Sequence, residues 1–196
     1  MPYHPSIHHR RSIRLKGYDY AQAGMYFITI CVHRQQCILG EILNSMMILN
    51  DIGKIIENEW LHLTVKYPNI ELHEYAIMPN HFHAIIEIMT NVGAGSARPY
   101  NIVRAGSTRP HNNSPRPYNI DNSASMGQAD PAPTAVVGNI IGYFKYQTTK
   151  KMDLSVKLWQ RNYYENIIRN PIAYRRIADY IINNPANWGN DRFYLG

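Results

Sequence analysis

The sequence predicts an α+β fold. Short runs rich in β-branched and aromatic residues stand in turn-linked pairs at 25–43 and 70–89, a helical apolar stripe separates the pairs, and further helical stripes follow a polar interruption. The order through residue 89 is strand, strand, helix, strand, strand. At 196 residues and 45% apolar content, the chain suits one domain with appendages and can bury a full core.

Residues 1–24 read as a basic arm, with His4, His8, His9, Arg10, Arg11, Arg14 and Lys16 among few apolar residues. Such an arm either contacts phosphate or trails as a solvated tail, and both readings stay open. Residues 25–32 form a first strand and 37–43 a second, expected as a hairpin across His33-Arg34-Gln35-Gln36. Cys31 and Cys37, the only cysteines, flank that turn; nothing suggests secretion, so buried thiols are expected and not a disulfide. From Asn50, the residues Ile52, Ile55, Ile56, Trp60 and Leu63 recur at helical spacing up to Tyr67-Pro68 and mark a core face. Residues 70–78 form a third strand and the run from His81 a fourth, joined by a tight Pro79-Asn80 turn.

Residues 90–135 differ in kind. Pro99, Pro110, Pro115 and Pro117 fall among repeated Gly, Ser and Asn, a composition too polar to bury a core. Ala94-Gly95-Ser96-Ala97-Arg98-Pro99-Tyr100-Asn101 is echoed by Ala105-Gly106-Ser107-Thr108-Arg109-Pro110-His111-Asn112, which reads as a duplicated flexible insertion. Order resumes near Val136: Val137, Ile140, Ile141 and Phe144 trace a helix whose last turns carry Lys145, Lys150 and Lys151, complementing its dipole and able to face phosphate. Residues 158–164 read as an extended piece leading to Ile167-Ile168-Arg169. Asn170-Pro171, an N-cap residue followed by proline at the first helical position, starts a last helix that Pro185 limits at Asn184. Its Ile177, Ile181 and Ile182 are expected on the buried side.

One stretch carries chemistry. In Met78-Pro79-Asn80-His81-Phe82-His83, strand alternation puts His81 and His83 on one face and Phe82 on the other. Two neutral imidazoles side by side are half of a metal site, although nine histidines also produce such pairs by chance on the solvated face of an edge strand. On the last helix Arg176, Tyr180 and Asn184 are spaced by four and share a face. If that helix packs beside the His81 strand, Tyr180 is placed as a nucleophile and the Asn184 carbonyl oxygen as a third ligand, a donor set that suits Mg²⁺ or Mn²⁺. The chemistry would be phosphodiester transfer through a covalent phosphotyrosine, which conserves the bond energy and lets a strand be rejoined without ATP. Otherwise Tyr180 is one more helix tyrosine among 15.

Charge points the same way. Twenty Lys and Arg against 14 Asp and Glu give +6, with a pI near 9.3, so nucleic acid is the first candidate partner. No apolar run approaches the roughly 20 residues of a membrane span and the N-terminus has no apolar signal core, so a cytoplasmic protein with no membrane partner is expected.

Tyr18-Asp19-Tyr20, Gly24-Met25-Tyr26-Phe27-Ile28-Thr29, the Met78–His83 block, Phe144-Lys145, Leu158-Trp159-Gln160-Arg161, Ile168-Arg169-Asn170 and Tyr180-Ile181-Ile182-Asn183-Asn184-Pro185 together resemble, in order, the REP-associated tyrosine transposases. These are single-tyrosine HUH transposases of the insertion-sequence-200-like superfamily, and the resemblance spans the chain except the 90–135 insertion. It implies a ferredoxin-like (RRM-like) antiparallel sheet with helices on one face, in one domain over 25–196 that the insertion interrupts. It implies that His81 and His83 bind one Mg²⁺ or Mn²⁺ with Asn184 as an amide ligand, and that Tyr180 forms a 5′-phosphotyrosine link with single-stranded DNA and releases a 3′-hydroxyl. Tyr163 and Tyr164, rival nucleophiles by residue type, fall in a segment the family does not use for attack. The implied partner is palindromic hairpin DNA. Contacts to it are expected at Arg10, Arg11, Arg14, Lys16, Lys145, Trp159, Gln160, Arg161, Arg169 and Arg176, and nucleoid association would follow. The superfamily includes monomers and homodimers, so both remain open. Two alternatives stand beside this reading: a hairpin-DNA-binding protein that no longer turns over, and a replication-initiator-like or relaxase-like nickase.

Overall fold

Tyr26, Ile28 and Ile30 alternate with Met25, Phe27 and Thr29 along β1 (Gly24–Cys31), and this period of two separates two cores, one on each face of the sheet. The computed structural model describes residues 23–89, 136–152 and 157–194. The expected arm, with Arg10, Arg11, Arg14 and Lys16, and the expected 90–135 insertion lie outside those residues, apart from positions 23 and 24. After β1 come β2 (Gly40–Leu43), β3 (Met46–Leu49), α1 (Asp51–Leu61), the short α2 (Leu63–Lys66), β4 (Ile70–Met78), β5 (His81–Ile88), α3 (Val137–Lys151), β6 (Tyr164–Ile168) and α4 (Pro171–Asn183). A 3-10 helix, Pro185–Asn190, follows α4 directly.

Four strands form one antiparallel sheet in the order β4-β5-β1-β6. With α1 between β1 and β4, and α3 between β5 and β6, the main elements run β-α-β-β-α-β, the ferredoxin-like order. One face carries the larger core. Ile56 and Trp60 of α1 and Val137, Ile140, Ile141 and Phe144 of α3 pack on Tyr26, Ile28, Ile30, Phe82, Ala84 and Ile86, with Trp60 4.9 Å from Phe82 and 5.5 Å from Phe144 between ring centres. Burying each such aromatic side chain contributes about 1.5–3 kcal/mol relative to exposure.

The helices are not confined to that face. Ala178 and Ile181 of α4 pack on Ala76, Ile85 and Ile168 from the opposite side, so α4 covers the sheet face that His81 and His83 share. Asn50 caps α1 by accepting the Gly53 N–H at 3.0 Å, and Asn170 caps α4 by accepting the Ala173 N–H at 2.8 Å, with Pro171 at the first position where no N–H is needed.

Two expectations fail around residues 31–49. β2 pairs with β3 in a separate two-stranded hairpin and not with β1, whose neighbours are β5 and β6. The hairpin turns at Asn44 and Ser45, both with positive φ (50° and 63°). Serine seldom adopts that conformation, so the dipeptide gives no turn signal of the Asn-Gly kind. Gly40 starts β2 at φ 142°, where an added Cβ would meet the Ile48 carbonyl oxygen at 2.1 Å. Cys31 is buried as expected but Cys37 is exposed.

Candidate metal and tyrosine site

The Pro79-Asn80 turn closes the β4-β5 hairpin, pairing Met78 with His81, and β5 then runs between β4 and β1. His81 and His83 therefore sit in the interior of the sheet, 0% and 1% exposed, and are not the solvated pair of an edge strand.

Their tautomers follow from their neighbours. Asn80 donates its Nδ2 to the Phe193 carbonyl at 2.7 Å, which leaves Asn80 Oδ1 to accept from His81 Nδ1 at 2.8 Å. His81 Nδ1 thus carries the proton, and Nε2 presents a lone pair. Thr29 Oγ1 lies 2.8 Å from His83 Nδ1, a hydroxyl able to accept that ring's N–H and leave Nε2 facing Tyr180. Burial drives both imidazoles well below their usual pKa; the His81–His83 contact and Arg192 deepen the shift at His83, and Asp191 opposes it at His81. Both rings are neutral at pH 7, the form that ligates metals.

α4 brings the other half. Asn184, at its C-terminal cap, is 3% exposed and turned to the sheet, while Tyr180 is 42% exposed with its hydroxyl 3.1 Å from His83 Nε2. The buried stripe runs through Ile177, Ala178, Ile181 and Asn184; Ile182, expected on the buried side, is 40% exposed. Burial, with Asp191 adding to it, pushes the Tyr180 phenol up to about 12.

Two atoms stand out. His81 Nε2 and Asn184 Oδ1 are buried and have no hydrogen-bond partner among the described residues. A lone pair on nitrogen and one on a carbonyl oxygen, both desolvated and both unused, fit a divalent cation that would repay the cost of burying them.

Asp191, absent from the expected set, completes the cluster. One of its carboxylate oxygens and one ring nitrogen from each of His81 and His83 lie within 4.8 Å of one another. Oδ2 accepts from Asn184 Nδ2 at 2.9 Å and from the Tyr180 hydroxyl at 3.3 Å, and Oδ1 accepts the Phe193 N–H at 2.7 Å. Arg192 is a second missed residue, an exposed guanidinium 4.4 Å from the Phe193 ring centre and 5.3 Å from that of Tyr164. The sequence signal was faint: Asp191 is the sole carboxylate after Asp179, but it lies beyond the last periodic element. A second group, Glu71, His73 and Glu87, also gathers ligand atoms, but there His73 Nε2 is already engaged with Glu87 at 3.1 Å.

The expected DNA-contacting residues divide. Arg161, Arg169 and Arg176 are exposed and Gln160 is half-buried. Trp159 is instead core: 3% exposed, its indole N–H goes to Thr148 Oγ1 at 2.8 Å and its ring packs on Phe144. Lys145 is also committed, donating to the Gln160 and Arg161 carbonyls at 2.6 and 3.0 Å, so it braces that segment. Tyr163 gives its hydroxyl to Glu165, and Tyr164 lies under Arg192.

No helix among the described residues is long and apolar enough to cross a membrane. No protein-family profile matches the chain. A Haemophilus influenzae protein, described as uncharacterised, is 37% identical over 196 residues, covering 98% of this chain and 97% of its own. A solved structure of a REP-associated tyrosine transposase bound to a REP hairpin has 19% identity and a TM-score of 0.50, over 93% of this chain and 74% of its own. At that identity the likeness is one of fold.

Proposed function

The chain belongs to the family of the Haemophilus influenzae relative, and from the geometry of the site we propose that it is a transposase that cuts and rejoins single-stranded DNA. Tyr180 is the nucleophile, and His81, His83 and Asn184 hold one Mg²⁺ or Mn²⁺. The observation that carries the reading is a pair of buried atoms without a hydrogen-bond partner among the described residues, His81 Nε2 and Asn184 Oδ1, on the same face of the sheet as the Tyr180 hydroxyl. Support for the DNA partner comes from the fold shared with the hairpin-bound transposase and from the +6 charge.

A bound cation would neutralise the charge that builds on the non-bridging oxygens of the scissile phosphate. The chain supplies the rest. The Tyr180 oxygen attacks phosphorus, the bond from phosphorus to the 3′-oxygen breaks, and a 3′-hydroxyl leaves while the 5′-phosphate stays on tyrosine. Asp191 Oδ2 is within reach of the phenol proton. Arg192, fixed over two rings, offers a cation for the phosphate, as do Arg161, Arg169 and Arg176 on the exposed surface. Palindromic REP-like hairpins are the proposed substrate class, and the cytoplasm with its nucleoid the proposed location.

A labelled hairpin oligonucleotide with a single-stranded flank, taken from DNA beside the gene and incubated with Mn²⁺, tests this. Cleavage that EDTA and Tyr180→Phe both abolish is expected; cleavage by Tyr180→Phe at the wild-type rate rules the tyrosine out. The second reading is a binding protein without turnover, which the shared fold and the basic charge support by themselves. Hairpin-specific binding with no cleavage at any divalent metal would select it.

A further inference from the structure

Asn184 can satisfy its surroundings in two ways. In the observed orientation Nδ2 donates to Asp191 Oδ2 at 2.9 Å and Oδ1 has no partner among the described residues. The Asn184 side chain also reaches the His81 ring; turned over, its amide would give an N–H to the buried Nε2 lone pair of His81 and so plug the position a cation needs. What opposes that turn is Asp191, because the flipped amide would set its oxygen against a carboxylate oxygen, two acceptors face to face. The carboxylate is itself fixed: its other oxygen takes the Phe193 N–H at 2.7 Å, and the Phe193 carbonyl takes Asn80 Nδ2, whose Oδ1 orients His81. One short segment after the last helix thus sets both the His81 tautomer and the Asn184 amide.

We propose that Asp191 is a positioning residue that holds the Asn184 amide with its oxygen turned to the cation position, so that the metal affinity of the site depends on this carboxylate. The inference rests on the metal-site reading above. In Asp191→Asn, the new amide must keep its oxygen toward the Phe193 N–H, so its NH₂ faces Asn184; Asn184 then turns its own oxygen to that NH₂ and its N–H to His81. Shape is kept and the donor pattern is inverted. In the double variant Asn184→Asp with Asp191→Asn, the carboxylate at 184 accepts the new N–H, has none of its own to block His81, and leaves one oxygen for the metal.

Calorimetric titration of the purified full chain with Mn²⁺ alone reads this directly, with thermal unfolding of each variant recorded in parallel. Wild type is expected to bind and His81→Ala not to bind. Asp191→Asn should bind 10- to 100-fold more weakly, the usual effect of removing the group that orients a ligand. The double variant should return to within a few-fold of wild type or bind more tightly. Wild-type affinity in Asp191→Asn overturns the positioning role, and so does a loss that the double variant does not reverse. No Mn²⁺ binding by wild type overturns the metal-site reading and this inference with it.

Discussion

Tyr180 holds its hydroxyl 3.1 Å from His83 Nε2, across the gap between α4 and β5. The phenol lies on the exposed side of that gap and the imidazole on the buried side, so under the proposed function a phosphate arriving from solvent would meet the tyrosine first.

Metal binding should stabilise the folded chain, because the unfolded chain has no assembled site. At 100 times its dissociation constant a cation adds about 2.7 kcal/mol. Mn²⁺ is therefore expected to raise the Tm of wild type by several degrees and to leave His83→Ala unchanged. Equal shifts in the two proteins would mean binding elsewhere.

Without metal, stability should fall on acidification. Both imidazoles have folded pKa values below the unfolded value near 6.5. Below that pH the unfolded chain binds more protons than the folded one, so stability is fully present above about pH 6.5 and is lost as pH drops toward the folded values. Urea melts of EDTA-treated protein between pH 7.5 and 5 check this, and the double variant with Ala at 81 and 83 should show a flatter profile. A profile as steep in that variant would place the titrating groups elsewhere.

Trp159 should matter to stability and not to DNA contact. Its removal to Ala leaves a cavity beside Phe144 and strips Thr148 of a buried donor, at a cost of about 3–5 kcal/mol. Trp159→Phe keeps most of the volume and loses the hydrogen bond, a smaller cost of about 1 kcal/mol. Denaturant midpoints measure both; if Trp159→Ala melts like wild type, the packing account of this residue is wrong.

The two thiols should react at different rates. Cys31 is 2% exposed and burial pushes its thiol up to about 11, whereas Cys37 is exposed. A thiol reagent at pH 8 should modify one equivalent quickly and the second only after denaturation. Two equivalents reacting together would contradict the burial of Cys31.

Much of this was legible where local rules dominate. The start of α4 is written in Asn170-Pro171, and the shared face of His81 and His83 in the strand period; neither depends on distant contacts. The β2-β3 hairpin was hidden because Asn44-Ser45 makes its turn with backbone angles serine rarely adopts, and without that turn residues 37–43 had only β1 left to pair with. Trp159 and Lys145 read as surface because their neighbours in sequence are Gln160 and Arg161, while their partners in space, Thr148 and two backbone carbonyls, carry no sequence mark. Asp191 was invisible for the same reason: it comes after the last helix, on a segment with no period, and meets Tyr180 and Asn184 only because the chain turns back through Pro185–Asn190.

Intact-mass measurement of the protein after incubation with Mn²⁺ and a hairpin oligonucleotide tests the tyrosine chemistry most directly. A species heavier by the mass of the 5′-phosphorylated cleavage fragment less one water, carried on Tyr180 and absent from Tyr180→Phe and from EDTA-treated samples, is expected. Oligonucleotide cleaved without any such adduct, or an adduct that persists in Tyr180→Phe, would contradict it.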